Sequence, residues 1–277
     1  MAADAPALTI AIPTYRGAAF IGAAIQSVLA QTFGDFELVV IDDNSPDDTE
    51  RVVRSFSDPR IRYLRNAHNL GPQGNWNRCL AEARGRYFKL LPHDDLLMPH
   101  CLERQVGVLQ ADADERIALV SGARNVLGPD GRVLMRRSYP GAGDSRVAGA
   151  AVMRSCVRRG TNLLGEPGAV MFRKSLADRV GPFDATDAYV IDLDYWFRLL
   201  AHGDAFICAD VQSAFRVSGG SWSVAIGNAQ DRDFLDFVRR IAAGIRPPLS
   251  AIDLLAARVS AKLNMWLRLA FYAVHLR

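Results

Sequence analysis

Cysteine is scarce in this chain of 277 residues: only Cys79, Cys101, Cys156 and Cys208 occur, with no CxxC pair. Thiols so scattered suit neither a disulfide framework nor a thiolate zinc site. They read as reduced core thiols, where free cysteine is commonly found. Excess charge of one sign is lacking too. Lys and Arg total 33 against 30 Asp and Glu, a net charge of +3, so composition gives no footprint of a nucleic-acid binder. No apolar run approaches the roughly 18 residues of a membrane span. The opening stretch MAADAPALTIAIP has no basic flank or long apolar segment, so a secretory signal is not expected. No internal repeat, low-complexity tract or linker stands out. What remains is ordinary for a chain with a real core, 49% hydrophobic and 23% charged residues.

The first hundred residues alternate two periodicities. ALTIAIP (7–13) reads as a short buried strand and FELVVIDD (36–43) as an apolar one, with IRYLRN (61–66) and RYFKLL (86–91) as a third and a fourth strand. Between them, FIGAAIQSVLAQT (20–32), TERVVRSF (49–56) and GNWNRCLAEARG (74–85) read as helices. Such alternation predicts a mostly parallel sheet with helices on both faces, and ligands bind outside the carboxyl ends of its strands. Asp42 and Asp43 end one strand and Asp94 and Asp95 another, so these carboxylates gather on one edge. Further on, MPHCLERQVGVLQAD is a helix, RIALVSGARNVL a strand, and GPDGRV (128–133) a hairpin turn. The stretch 135–165, rich in Arg, Gly and small residues, gives no firm assignment. AVMFRKSLADRVGPFD then reads as strand, short helix and turn, LDYWFRLLAHG (193–203) as an aromatic helix, and FICADVQSAFRVSGGSWS as strand and Gly-rich loop.

Each acidic or Gly-rich cluster has two readings. VIDDNSPDD (40–48), with IPTYR (12–16), suits a nucleotide's base and ribose, or a polar turn capping the next helix. NAHNLGPQGNWNRCL (66–80) offers a helix N-terminus to an anion, but lacks the GK[ST] ending of a Walker A loop. In LPHDD (91–95), adjacent carboxylates can hold a hard divalent cation such as Mg²⁺ or Mn²⁺, or form a solvated turn. In YVIDLDYWFRLLAHG (189–203), Asp192 and Asp194 suit the positive end of a helix, and Asp192 could equally act as a general base.

Taken in order, these pieces resemble the family 2 inverting glycosyltransferases. The similarity runs from IPTYR through VIDDNSPDDT and NLGPQGNWNRCLAEARGRYFKLLPHDDLL to GEPGAVMFRKSLADRVGPFD, DLDYWFRLLAHG and FRVSGGS. A dinucleotide-binding enzyme would instead carry GxGxxG after its first strand. The resemblance implies an α/β fold of GT-A type, a Rossmann-like, mostly parallel sheet flanked by helices, with a C-terminal helical appendage. It implies a catalytic domain over residues 1–223, a nucleotide-sugar half to about 98 and an acceptor half from 99, with a tail over 224–277. By the same resemblance Thr14, Tyr15, Asp42 and Asp43 hold base and ribose, and Asn69, Gly71 and Arg78 lie near base and diphosphate. Asp94 faces ribose and sugar, Asp95 binds Mg²⁺ or Mn²⁺, and Asp192 deprotonates the acceptor hydroxyl. Gly165, Glu166, Pro167 and Trp196 fall on the acceptor side.

The implied donor is a UDP- or dTDP-sugar, and the implied acceptor a glycan or lipid-linked hydroxyl in cell-surface polysaccharide synthesis. No nucleic acid is expected, and the location would be cytoplasmic, peripheral on the inner face of the membrane. Three positions depart from the family pattern. Pro92 and His93 stand where an extra acid is common, Ser218 where a late His can complete the metal shell, and Ile191 where an acid often precedes the base. Asp95 would then be the single protein ligand. Two rivals stay open: a degenerate member that binds without turnover, and a nucleotidyltransferase, although IPTYRGAAF lacks that class's basic phosphate loop.

In the tail, LSAIDLLAARVSAKLNMWLRLAFYAVHLR (249–277) spaces apolar residues by three and four. It carries Arg258, Lys262, Arg268 and Arg277 with no acid after Asp253. A basic amphipathic helix can lie in a lipid headgroup layer, or pack on its own domain or on a second copy in a homodimer.

Overall fold

The computed structural model describes residues 5–141, 143–219, 224 and 226–275. Gly220 and Ser221 of FRVSGGS, the expected boundary at Ser223, and Arg277 lie outside the described residues. The sheet begins as the periodicity predicts. β1 (Leu8–Thr14), β2 (Phe36–Asp42), β3 (Ile61–Arg65) and β4 (Tyr87–Leu90) run parallel in the order β3-β2-β1-β4. Their connections are α1 (Ile21–Leu29), α2 (Thr49–Arg54) and α3 (Gly71–Glu82).

Beyond β4 the order changes. β9 (Val170–Arg173) inserts between β4 and β6 (Ile117–Leu127), antiparallel to both. β10 (Asp204–Arg216) then runs parallel to β6, and β5 (Leu96–Leu97) pairs antiparallel with its end. β7 (Val133–Arg137) makes the hairpin with β6 that the 128–133 turn predicts, and β8 (Ser145–Val147) pairs with β10. The remaining helices are α4 (Cys101–Ala111), α5 (Gly149–Arg159), α6 (Lys174–Val180), α7 (Ile191–Leu200), α8 (Gln230–Ile241) and α9 (Ala251–His275).

Alternation along the strands divides the core into two layers. Leu8, Ile10 and Ile12 of β1 face a cluster with α1 and α4, while Ala11 faces the other, with α3, α5, α7, α8 and α9. All four cysteines are free and buried, as their scattered placement implies. The tail helix packs one face on α5 and α8, burying Asp253, Ala257, Ala261 and Met265 at four-residue steps.

Candidate active site

The carboxyl ends of β1, β2 and β4 place the first group of residues. Thr14 closes β1 and is buried, and its Oγ1 has no hydrogen-bond partner. A buried hydroxyl left without a partner costs about 1–3 kcal/mol, so this atom is set for a ligand. Tyr15, next in the chain, is exposed, with the Arg16 guanidinium 5.4 Å from its ring centre. Gly17 abuts both Thr14 and the His93 ring, so the loop after β1 meets the LPHDD turn.

Asp42 and Asp43 are already engaged by the fold. Asp42 Oδ1 accepts from the Ser45 amide at 2.8 Å and Oδ2 from the Tyr63 hydroxyl at 2.7 Å. Asp43 accepts from Asn66 Nδ2 and from the amides of Leu70 and Gly71 at 2.8 and 3.0 Å. The positive end of α3 is thereby neutralised from within, which is a capping role. Asn69 Oδ1 also accepts from the Gly71 amide, at 3.0 Å, so little of this helix end is left for a phosphate. The helix starts three residues before Gly74, because Asp43 supplies a cap from another strand and Pro72 fits its first turn. Arg78 on α3 donates to the Arg65 carbonyl and to Asn66 Oδ1, holding the loop that carries Asn69.

Asp94 and Asp95 follow β4, and their environments differ. Asp94 is partly exposed, whereas Asp95 is buried. Asp95 Oδ1 accepts from the Arg216 amide at 3.0 Å, at the end of β10. The Arg216 guanidinium reaches the Asp94 carbonyl at 3.2 Å and the Gly128 carbonyl at 3.2 Å, fastening the turn to the β6–β7 hairpin. Burial, and then the neighbouring Asp94 charge, push the Asp95 carboxyl well above the usual carboxylate range. Two crowded carboxylates with oxygen donors suit a hard divalent cation, which would relieve their repulsion. Among the described residues, however, no three His, Cys, Asp or Glu side chains gather into a cation cage. The donor set fits a metal that takes its other ligands from water and a diphosphate.

The second group stands on α7 and the loop 162–168. Asp192, in the first turn of α7, accepts from Asn162 Nδ2 at 2.9 Å and from the Leu193 amide at 2.7 Å. Burial, then the charge of Glu166, raise its pKa to about 7. Burial also pushes Glu166 up, but Arg124 and then Arg137 hold it below the usual carboxylate range. Arg124 Nε lies 2.6 Å from Glu166 Oε2. Asn162 folds the loop as well, accepting from the Leu164 and Gly165 amides at 3.0 Å each.

Gly165 has φ +106°, and a Cβ there would sit 2.9 Å from both Ala169 Cβ and Arg124 Cδ. Only glycine serves that turn. The Trp196 indole donates to the Gly165 carbonyl at 3.2 Å. Its ring is fully buried, so Trp196 supports the loop from behind, through that carbonyl, and does not face solvent. Pro167 is buried as well, and Glu166 remains partly accessible. Asp194 is spent on ion pairs with Arg198 at 2.8 Å and Arg240 at 3.0 Å, the bland role that its helix-end position allows.

Loop 162–168 joins the two groups. At one end Asn162 holds Asp192, and at the other Gly168 approaches Asp95 Oδ2, where an added Cβ would lie at 3.6 Å. Asp95 and Asp192 both feel the charge of Glu166, which stands between them. Asn162 and Arg124 escape the motif reading, and Arg216 falls within FRVSGGS without a role there. The nearest available signal was the unusual Arg within the apolar strand RIALVSGARNVL.

The family model described as Glycosyl transferase family 2 matches residues 9–181. The chain belongs to that family. The match takes in the Thr14, Asp95 and Asn162 regions and ends before α7. One relative, an uncharacterized protein of Mycobacterium tuberculosis, is 31% identical over 95% of this chain and 83% of its own length. Another is the Escherichia coli enzyme named UDP-Glc:alpha-D-GlcNAc-diphosphoundecaprenol beta-1,3-glucosyltransferase WfgD, 39% identical over 102 residues. That match covers 37% of this chain and 40% of the WfgD protein, so the chain spans well under half of that relative. Among solved structures, residues 1–349 of S. aureus TarS in complex with UDP-GlcNAc superpose with a TM-score of 0.69. The identity is 18%, over 98% of this chain and 76% of that one, a likeness of fold. The sheet with its flanking helices is thus of GT-A type, and the C-terminal helix follows it beyond the family match.

Proposed function

We propose that this family 2 member transfers a sugar, with inversion, from a UDP- or dTDP-sugar to a hydroxyl of a glycan or lipid-linked acceptor in cell-surface polysaccharide synthesis. The observation that carries the reading is Asp192, a carboxylate raised to about 7 and held by Asn162, on the loop that reaches Asp95. A base poised near neutral pH suits proton removal from an alcohol as it attacks. Asp192 Oδ2 takes the acceptor proton while the oxygen attacks the anomeric carbon from the face opposite the departing diphosphate. A single displacement inverts that carbon and leaves no covalent intermediate. Asn162 keeps the carboxylate aimed, while burial, and then the charge of Glu166, keep the Asp192 proton affinity high enough to do the work.

On the donor side, Thr14 Oγ1 and the Tyr15 ring would receive the base, with Asp43, Asn69, Gly71 and Arg78 shaping the loop beside it. Asp42, bound to Ser45 and Tyr63, holds that wall in place. Asp94 would meet ribose and sugar. Asp95 would hold Mg²⁺ or Mn²⁺, whose contribution is to offset charge on the leaving diphosphate. The proposed place of action is the cytoplasmic side of the membrane.

A screen of UDP-, dTDP- and GDP-sugars, with and without Mn²⁺, tests the reading through donor hydrolysis. One nucleotide sugar should be consumed by the wild type, and Asp192→Asn should bind it without consuming it. Binding without turnover in both proteins would leave a nucleotide-binding member that does not catalyse.

A further inference from the structure

α9 is apolar on two opposite faces, and the fold uses one of them. The inner face is fixed firmly. Gly160 lacks a side chain where the helix backbone passes, since a Cβ would fall 2.3 Å from the Ala261 amide nitrogen. Asn264 Nδ2 donates to the Arg159 carbonyl at 2.6 Å, and Arg154 pairs with Asp253. Arg268 Nε reaches Gln230 Oε1 at 2.6 Å, and its guanidinium lies over the Tyr189 ring. The helix is therefore a rigid part of the fold.

On its outer face Ile252, Leu255, Val259, Leu263, Trp266 and Leu267 are 57 to 71% exposed. Their steps of three and four residues make one stripe, on the side away from the buried row. From Ile252 to Leu267 the stripe spans about 22 Å at 1.5 Å per residue. A continuous exposed stripe of this length is far from the single exposed hydrophobics normal on a surface. Arg258 and Lys262, both exposed and one turn apart, run along its edge.

We infer that the outer face of α9 docks on an anionic lipid bilayer. Charge chooses this occupant. After Asp253 no acid follows in the helix, and Asp253 itself is engaged by Arg154 and Ser250. A two-fold pairing of two copies sets this face against itself, and Arg258 and Lys262 would then meet no carboxylate of the partner helix. Anionic headgroups answer both cations, and the stripe enters the acyl boundary below them. Trp266 within the stripe is the residue type enriched at that boundary. No described helix is long and apolar enough to cross a membrane, so α9 lies in the plane of the surface. On its inner side Arg268 of this helix lies over the ring of Tyr189, three residues before Asp192 in the chain. The inference does not depend on the transferase reading, because docking needs no turnover.

Co-sedimentation of the full chain with phosphatidylcholine vesicles, with and without phosphatidylglycerol, tests it. The wild type should sediment with the phosphatidylglycerol vesicles. A Leu263→Gln, Trp266→Gln, Leu267→Gln variant should lose roughly tenfold or more of its partitioning, since three apolar anchors leave the interface. These side chains point outward, so the variant should melt as the wild type does. If it fails to fold, Arg258→Gln with Lys262→Gln replaces it: binding should fall and its salt sensitivity should diminish. Wild type left in the supernatant, or variants that sediment equally well, overturn the inference. So does a dimer in sedimentation analysis that the triple variant dissociates while vesicles bind neither protein; the stripe would then belong to a second copy.

Discussion

Replacing Asp192 by Asn should all but abolish transfer and yet flatten the loss of stability as pH rises towards 7. The carboxyl titrates near 7 in the folded protein, against 3.8 for an ordinary aspartate. The folded state therefore binds this proton more tightly than the unfolded state, and its stabilisation is complete below about 4. It is lost as pH rises towards 7, because the charged form must then be accommodated among burial and Glu166. Each unit corresponds to about 1.36 kcal/mol, so between pH 5 and 8 the loss is at most about 3 kcal/mol. Partial exposure of the carboxylate reduces this to about 2 kcal/mol. The substituted amide does not titrate, so the variant escapes this loss. Its single carbonyl cannot accept from both Asn162 and Leu193, which costs about 1 kcal/mol at every pH. The slope with pH, and not the intercept, is therefore the readout. Urea unfolding of both proteins from pH 5 to 8 should show the wild-type midpoint falling relative to the variant. Turnover should drop by roughly 10²–10⁴ with donor affinity kept. Parallel pH dependences refute the environment assigned to Asp192, and near-normal turnover removes it from the mechanism.

Burial is the main cause that raises Asp192 and the Glu166 charge the next, so Glu166→Gln should move the acid limb of kcat/KM part of the way to lower pH, read from a pH profile against the wild type. The same change leaves Arg124 buried without its partner and should cost about 3–5 kcal/mol of stability. Gly165→Ala should destabilise by about 1–3 kcal/mol in thermal unfolding and lower kcat by misplacing Asn162, because the alanine meets both a strained φ and Arg124. The substrate-free protein should bind Mn²⁺ weakly by calorimetry and more tightly once a nucleoside diphosphate is present. Asp95→Asn should remove that gain. Tight binding to the free protein would refute the lean metal shell.

β2 and β4 were legible as apolar runs that meet an acid and a proline at their ends, and the hairpin at 128–133 announced itself through its glycines. What escaped was everything specified by distant partners. Capping of α3 comes from Asp43, 28 residues earlier than Gly71, so local signals put the start too late. The unassigned stretch 135–165 contains α5, whose buried residues Val152, Met153, Cys156 and Val157 do have helical spacing, but glycines and arginines obscure it. Asn162 is one polar loop residue among several, and only the folded chain shows that it touches Asp192. For the same reason Asp42 and Asp43, two acids alike in sequence, turn out to be wedged into the turn that they shape.

The interleaving of β9 and β10 bears on how such enzymes can be recombined. β9 from the later half of the chain lies between β4 and β6, and β5 from the earlier half pairs with the end of β10. A graft that exchanged everything after residue 98 would therefore import one neighbour of β4, the strand β9, and the Arg216 amide that fixes Asp95. A shift of one residue in β10 would carry that amide away from the carboxylate and turn its side chains to the opposite face. On the proposed reading, acceptor preference is open to transplantation loop by loop, through 162–168 and its surroundings, and closed to the shuffling of whole halves.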